Sequence, residues 1–269
     1  MRDFSVKTVL LLLLLFAGIG ATALSLHYAD TEPAPELSSM FEAREQFTYE
    51  VRYGFMRLGN VYVSARDTLI DGKKLLHTTA TIQSNSGIPL MGSRRYEYHS
   101  LLAQNDSTVW AHKFWVDNVH RERFPEYAYH FDYERGHIVV EKYDTPADTL
   151  ELPGLLDGGP ALFYVGRNHA GMDTEINYPI FIDEEVAYVN IRSTTERDRI
   201  RSEALGNEMR DVYLSFGDAS IDGPFGFSGK FESRYDTGTW RLPIEARVSV
   251  WIGNVRIRLK DYHKNERSS

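Results

Sequence analysis

The sequence predicts a mainly β protein: an antiparallel meander that forms a strongly curved sheet or incomplete barrel with one short central helix. Apolar and polar residues alternate with a period of two through most of the chain after residue 44, which is typical of strands with one buried face. Asn, Asp and Gly lie between these segments, where tight hairpin turns need them. The segments outnumber the ~10 strands that a twisted open sheet usually holds, so we expect the sheet to curl.

Residues 1–23 have the pattern of a cleaved secretory signal peptide. Arg2 and Lys7 precede an apolar run at 9–19, and the small residues Ala21 and Ala23 follow it. The run is shorter than the ~20 apolar residues that span a bilayer, so we expect no transmembrane segment in the mature chain. The predicted location is the periplasm, with or without loose association with the outer membrane, or otherwise the outside of the cell.

The rest of the chain is predicted to be one folded unit with flexible ends. Residues 24–43 contain Pro33 and Pro35 and sustain no periodicity, so we expect a flexible linker there. A single β-rich domain follows over residues 44–264. Residues 265–269 are predicted to be a disordered tail.

Seven strands are predicted in the first half of the domain. In the first strand, Phe47, Tyr49 and Val51 alternate with polar residues, and before the third strand Asp71 and Gly72 supply a tight turn. The other six strands are predicted at residues 61–65, 75–84, 95–102, 109–116, 127–133 and 138–143.

One segment predicts a helix instead. Asp157 can cap its start, Pro160 lies in its first turn, and an apolar run leads to Gly166 or Gly171, where the helix is expected to end. Strand patterns then resume at 174–182, 186–194, 209–216, 225–235, 244–252 and 255–262. The last two form the clearest hairpin, around Gly253 and Asn254.

Composition excludes several classes of protein. The absence of cysteine excludes a lipidated amino-terminal Cys, disulfides and thiolate metal sites. The net charge of −8 argues against nucleic acid as a partner and disfavours docking on anionic lipid, although a local basic stripe can exist in an acidic protein.

The final hairpin is predicted to carry such a stripe, formed by Arg247, Arg256, Arg258 and Lys260. Basic side chains on an outer strand also serve to prevent edge-to-edge aggregation, so both interpretations stay open.

Four short segments carry a resemblance to a known family. They are residues 47–54 (FTYEVRYG) with 58–61 (LGNV), the helical segment 157–167 (DGGPALFYVGR), residues 223–226 (GPFG), and 241–244 (RLPI) with 252–255 (IGNV). Their order and spacing over residues 45–262 resemble the uncharacterised bacterial envelope family known as domain of unknown function 3108. The resemblance implies an exported envelope protein, and it implies no catalytic or binding residue.

The predicted site lies at the central helix. Asp157, Leu162, Phe163, Tyr164 and Arg167 are predicted to line or cover an apolar groove, with the two aromatic side chains as a lid. An aromatic-rich sheet that does not close, with one helix across its concavity, favours non-enzymatic binding or carriage of a lipid-like or amphipathic ligand.

Two other functions stay open. Asp183 and Glu185 could serve a glycan-acting envelope enzyme as paired carboxylates, and open strand edges could serve a structural or assembly protein with an envelope partner. No catalytic residue is assigned, because hydrolase and nucleotide-binding motifs are missing from the sequence. The spacing of the histidines matches no metal motif, and neither a metal ligand nor a cofactor is predicted.

Overall fold

The computed structural model describes residues 35–87, 95–118, 126–220, 229–250 and 253–265. Within these ranges the chain forms two helices and fourteen strands. The helices are α1 (Leu37–Glu42) and α2 (Leu162–His169). The strands are β1 (Arg44–Tyr53), β2 (Met56–Ile70), β3 (Lys73–Ser84), β4 (Arg95–Gln104), β5 (Val109–Asn118), β6 (Tyr127–Asp132), β7 (His137–Lys142), β8 (Thr145–Glu151), β9 (Thr174–Ile182), β10 (Glu185–Ser202), β11 (Glu208–Ala219), β12 (Lys230–Asp236), β13 (Pro243–Val250) and β14 (Gly253–Asn265).

All fourteen strands belong to one antiparallel sheet. Its order is β8-β7-β6-β5-β4-β3-β2-β1-β14-β13-β12-β11-β10-β9. The first and last strands pair in the middle, and each half of the chain meanders outward from there through hairpins. Strands β8 and β9 are the two edges and do not pair with each other, so the sheet is not closed. The predicted fold class is confirmed.

The alternation that predicted β1 places its apolar side chains in the core. Phe47, Tyr49 and Val51 are buried on the inner face, whereas Thr48 and Glu50 lie on the outer face and are partly exposed. The same period-two pattern buries alternate residues of the neighbouring strands. The concave inner surface of the sheet is therefore apolar and rich in aromatic rings.

Helix α2 lies inside the concavity. Six of its eight residues are buried, from Leu162 to Arg167. It therefore fills the space that the curved sheet encloses, which agrees with the prediction of one central helix.

Several elements differ from the predictions. Helix α1 lies in the region predicted to be a linker, and its residues Leu37, Met40 and Phe41 are buried in the core, so residues 37–42 belong to the folded domain. The apolar residues at positions i, i+3 and i+4 pack α1 against α2, which offsets the weak helix propensity of so short a segment. Strand β8 was not predicted, and β10 extends to Ser202.

Both predicted terminal segments lie largely outside the described residues. Residues 1–23, predicted to be a signal peptide, are among those not described, and so are residues 266–269 of the predicted tail. Asn265 ends β14. In the described ranges, no helix has the length and apolar character needed to cross a membrane.

Candidate functional site

The predicted site residues meet in the concavity, where α2 packs against the sheet. The ring of Phe163 meets that of Phe47 edge to face, with centroids 5.0 Å apart. The ring of Tyr164 contacts that of Phe41 on α1 at 5.7 Å in a similar geometry. Leu162, Phe163 and Tyr164 are all buried. The two aromatic side chains of the predicted lid thus lie within the core.

A buried ion pair joins α2 to the central strand of the sheet. The Arg167 guanidinium donates two parallel hydrogen bonds to the Glu45 carboxylate, Nη1 to Oε2 at 2.7 Å and Nη2 to Oε1 at 2.9 Å. Both side chains are fully buried. Arg167 Nε also donates to the carbonyl oxygen of Trp240 at 3.1 Å, and the Tyr262 hydroxyl donates to Glu45 Oε1 at 2.8 Å. Every polar atom of this pair is therefore engaged by groups around the helix.

Burial and charge act in opposite directions on the pKa of Arg167. Burial has the largest single effect and lowers the pKa by disfavouring the charged guanidinium, whereas the charge and hydrogen bonds of Glu45, together with two nearby tyrosines, raise it. The net result is a pKa above the ordinary value, so the Arg167 guanidinium is charged. Sequence reasoning identified Arg167 and missed Glu45. The sequence did contain a signal for Glu45. It alternates with the same period of two as Phe47, Tyr49 and Val51, so the pattern places its carboxylate on the inward face of β1.

A two-residue segment spans the gap between the halves of the sheet. The carbonyl oxygen of Leu156 accepts from the N–H of Ala111 on β5 at 2.9 Å, and that of Asp157 accepts from the N–H of Phe181 on β9 at 2.7 Å. The Tyr133 hydroxyl donates to the carbonyl oxygens of Ala111 and Leu156. We call residues 156–157 the seam segment. It connects two non-adjacent strands and leads directly into α2.

The seam segment also holds a buried carboxyl group. Asp157 Oδ2 accepts from the backbone N–H groups of Gly159 at 2.6 Å and Ala161 at 2.7 Å, so it holds the turn that precedes α2. Burial raises the pKa of Asp157 to about 7, although the hydrogen bonds from Ala161 and Gly159 lower it. The N-cap of α2 is Ala161 and no side chain caps it, so the prediction that Asp157 caps the helix was wrong. The charge of Asp157 is costly in this environment.

Aromatic contacts close the rest of the gap. The Phe181 ring at the end of β9 meets the Tyr129 ring of β6 edge to face at 4.9 Å, and it contacts Phe131 at 6.1 Å. Lys142 and Glu184 form an ion pair nearby. Side chains rather than a ladder of backbone hydrogen bonds therefore hold β6 and β7 against β9.

The carboxylates considered for glycan chemistry lie in a hairpin turn. Asp183 and Glu184 have φ values of 51° and 65° and connect β9 to β10, in a conformation that Asp tolerates well. Glu185 follows as an exposed residue at the start of β10. This geometry gives the segment a turn-forming role.

A second feature is a charged groove on the outer face of β1 and β14. Its volume is about 300 Å³, and its charged lining residues are Glu50, Arg52, Glu203, Arg256, Arg258 and Lys260. Three of the four residues predicted to form the basic stripe line this groove: Arg256, Arg258 and Lys260. The fourth, Arg247, lies on β13 directly opposite Arg256 of β14. The structure thus brings the stripe to the middle of the sheet rather than to an edge.

A histidine cluster that sequence reasoning missed lies on the outer face of β3 to β5. The His77 and His99 rings stack at 5.5 Å, and His99 stacks on Trp115 at 4.7 Å. Burial lowers the pKa of both histidines, that of His77 to about 4. Cross-strand register brings the three residues together over a long sequence distance, so no local pattern marks them. Among the described residues, no group of three or more His, Asp or Glu side chains could hold a metal ion.

No family model matches the chain, and no curated protein matches it. The structure is similar to that of a β-barrel-like protein of the domain of unknown function DUF1849 from Brucella abortus, with a TM-score of 0.50 and 11% identity over 84% of this chain and 99% of that chain. It is also similar, with a TM-score of 0.38 and 8% identity over 87% of this chain and 99% of that chain, to a Bacteroides fragilis protein described as exported and as having a YmcC-like fold. The first similarity supports a β-barrel-like fold and nothing about a ligand or a reaction.

Proposed function

We propose that the protein is an exported, non-catalytic binding protein that holds a lipid-like or amphipathic molecule in the concavity of its sheet, with α2 as a displaceable plug. The observation that carries the proposal is the position of α2. It occupies an aromatic concavity in a sheet that does not close, and the seam segment at the open side leads directly into it.

Displacement of α2 would expose a surface suited to an acyl chain. Phe47, Tyr49 and Phe163 lie at the interface between β1 and the helix, and all three are buried. An apolar ligand there would replace the contacts that the helix makes, so the concavity would stay free of water. The surface is mostly apolar, with a few fixed polar groups, as small-molecule sites usually are.

The Glu45–Arg167 pair would act as the latch of this plug. It is the charged contact between α2 and β1, and a buried ion pair resists separation because each charge loses its partner. A ligand with a polar headgroup could compensate for that loss, whereas a pure hydrocarbon could not. This favours an amphipathic ligand over a fully apolar one.

Export is supported by the sequence. Arg2, Lys7, the apolar run and Ala21-Thr22-Ala23 form the signal pattern, and the chain needs no disulfide. A periplasmic location, with or without loose contact with the outer membrane, and the relation to domain of unknown function 3108 are parts of the same proposal.

The two alternatives have less support. Asp183 lies in a hairpin turn that suits its conformation, and Glu185 is an exposed residue at the start of β10, so both acids have an explanation that needs no chemistry. Strand β8, which would accept a partner strand, carries Pro146, Asp148 and Glu151, residues that discourage edge pairing.

Capture of a fluorescent phospholipid by latch variants tests the proposal. Arg167→Gln leaves the Glu45 carboxylate without its charged partner, so the docked position of α2 is destabilised. We expect capture at least about tenfold faster than in the wild type, the factor that corresponds to ~1.4 kcal/mol. The double variant Glu45→Gln/Arg167→Gln buries no charge, so its capture rate should lie between those of the wild type and Arg167→Gln. The measurement is stopped-flow fluorescence with a labelled phospholipid.

The matched control is Arg199→Gln, which removes the same charge from an exposed ion pair with Asp211 (3.1 Å) and should leave capture unchanged. Near-ultraviolet circular dichroism establishes that each variant is folded. A folded Arg167→Gln or double variant that captures the probe no faster than the wild type would contradict the proposal.

A further inference from the structure

A row of three arginines crosses the outer face of the sheet at the charged groove. Arg256 on β14 lies directly opposite Arg52 on β1 and directly opposite Arg247 on β13. Like charges in directly opposed positions destabilise a sheet. Strand β14 is paired on both sides, so protection of a sheet edge does not explain the row.

Among the residues that the structure describes, the outer two arginines have counter-charges and the middle one does not. Arg52 Nη1 lies 3.1 Å from Glu50 Oε1, and Arg247 Nε donates to Glu245 Oε1 at 2.9 Å. Arg256 makes no hydrogen bond or ion pair with any residue in the described ranges. An anion bound at Arg256 would supply the missing charge in the middle of the row.

The neighbouring cations are held in place around this position. Arg258 donates to Glu245 Oε2 from Nε at 2.9 Å and from Nη2 at 2.7 Å, and Glu245 is fully buried beneath it. Lys260 donates to Glu203 at 2.6 Å. The groove is thus lined by four cations and two carboxylates, a local excess of positive charge in a chain of net charge −8.

The hairpin tip beside the groove exposes large apolar side chains. Phe55, in the turn between β1 and β2, is 89% exposed, and Met56, the first residue of β2, is 41% exposed. Arg52 Nη2 donates to the carbonyl oxygen of Phe55 at 2.7 Å, which fixes the tip against the groove. Exposed aromatic and apolar side chains next to cations are typical of surfaces that enter the headgroup region of a bilayer.

We propose that this outer surface docks the protein on an anionic bilayer, with a lipid phosphate against Arg256 and Phe55 inserted among the headgroups. The positive charge of the arginine row favours binding of a phosphate group. The exposed apolar side chains of Phe55 and Met56 favour a lipid surface over a soluble anion. The surface lies on the opposite face of the sheet from α2, so it is separate from the concavity.

Vesicle co-sedimentation of the mature chain tests this surface. We expect binding to vesicles of phosphatidylcholine and phosphatidylglycerol in equal parts and little binding to phosphatidylcholine alone, with binding weakened by salt. Arg256→Gln should weaken binding about fivefold, and Phe55→Ser should weaken it to a similar extent.

Two matched controls are available in the chain. Arg192→Gln removes the same charge from an exposed position on β10, and Leu69→Ser removes an apolar side chain that is 73% exposed near the opposite end of β2. Both should bind like the wild type. Thermal unfolding checks that all four variants are folded.

Equal binding to the two kinds of vesicle, or equal effects of the test and control variants, would overturn the inference. Binding of inorganic phosphate at Arg256 without vesicle binding would also overturn it, in favour of a soluble anion. The latch variants leave the groove intact, so a failure of the plug proposal would leave vesicle binding unchanged.

Discussion

The Asp157 carboxyl group is where the protein's stability depends most clearly on pH. Its pKa is raised by burial to about 7, above the ordinary value of 3.8, so folding favours the protonated form. Its contribution to stability is complete below about pH 4 and is lost as the pH rises through about 7. Asp157→Asn keeps an oxygen that can accept from the N–H groups of Gly159 and Ala161 and removes the titration. We expect the variant to gain stability relative to the wild type, on the order of a few kcal/mol, as the pH rises across this window.

Urea unfolding of both proteins at a series of pH values measures this difference. The comparison between proteins is needed because the His77 pKa, lowered by burial to about 4, gives the opposite trend: its contribution is lost as the pH falls from about 6.5. The His77 effect is the same in the wild type and in Asp157→Asn, so it cancels in the difference between their free energies of unfolding. Asp106→Asn, an exposed change of the same kind, should show no such dependence. A stability difference between wild type and Asp157→Asn that is constant with pH would contradict the assignment.

Individual site residues were predictable where local chemistry marked them. Asp157 was identified because Asp often caps helices, although it holds the turn before α2 instead, and Phe163 and Tyr164 were identified because an apolar run follows it. Glu45 was not identified, since its partner Arg167 lies far away in sequence and no local pattern joins them. A charged residue at an inward-facing strand position was the available signal, and it indicates a buried partner without naming it.

At the scale of elements, the turn that leads into α2 depends on a close approach to β5. A Cβ atom on Gly158 would lie 2.3 Å from Cγ of the Phe114 ring, which is itself buried. Gly158→Ala therefore forces the ring or the helix to move. We expect the free energy of unfolding to fall by ~1–3 kcal/mol, as for other overpacked cores, in a urea titration.

Gly154→Ala is the control, since no atom lies within 4 Å of its Cβ position. The double variant Gly158→Ala/Phe114→Leu should recover part of the loss relative to the sum of the single changes. Equal stabilities of Gly158→Ala and Gly154→Ala would show that the turn before α2 does not pack against Phe114 in this way.

The elements that the sequence did not predict lack a period-two pattern. Strand β8 is exposed on both faces and contains Pro146, so no alternation marks it. Helix α1 is only six residues long and depends on packing against α2 rather than on propensity. The second half of β10 is mostly exposed, with charged residues on both faces, so no alternation marks it as a strand. The strands with one buried face were the ones that the sequence predicted.

For the whole molecule, the number of strands indicated that the sheet would curve. It did not indicate the order of the strands in the sheet. The pairing of β1 with β14 brings the two ends of the chain to the centre of the sheet. Nothing in either strand marks the other as its neighbour, because hairpin turns determine only local pairings. The position of α2 in the concavity follows from this order, and so does the row formed by Arg52, Arg256 and Arg247.

Native mass spectrometry of the mature protein, isolated from the periplasm of its own cells and followed by organic extraction, tests the central claim most directly. The account predicts one amphipathic molecule per chain, released on extraction. It also predicts that Phe163→Ala, which removes an aromatic ring from the concavity, retains less of that molecule than Leu69→Ser, which changes an exposed hairpin residue. A protein with no added mass, or equal retention by the two variants, would contradict the proposal that the concavity holds a ligand.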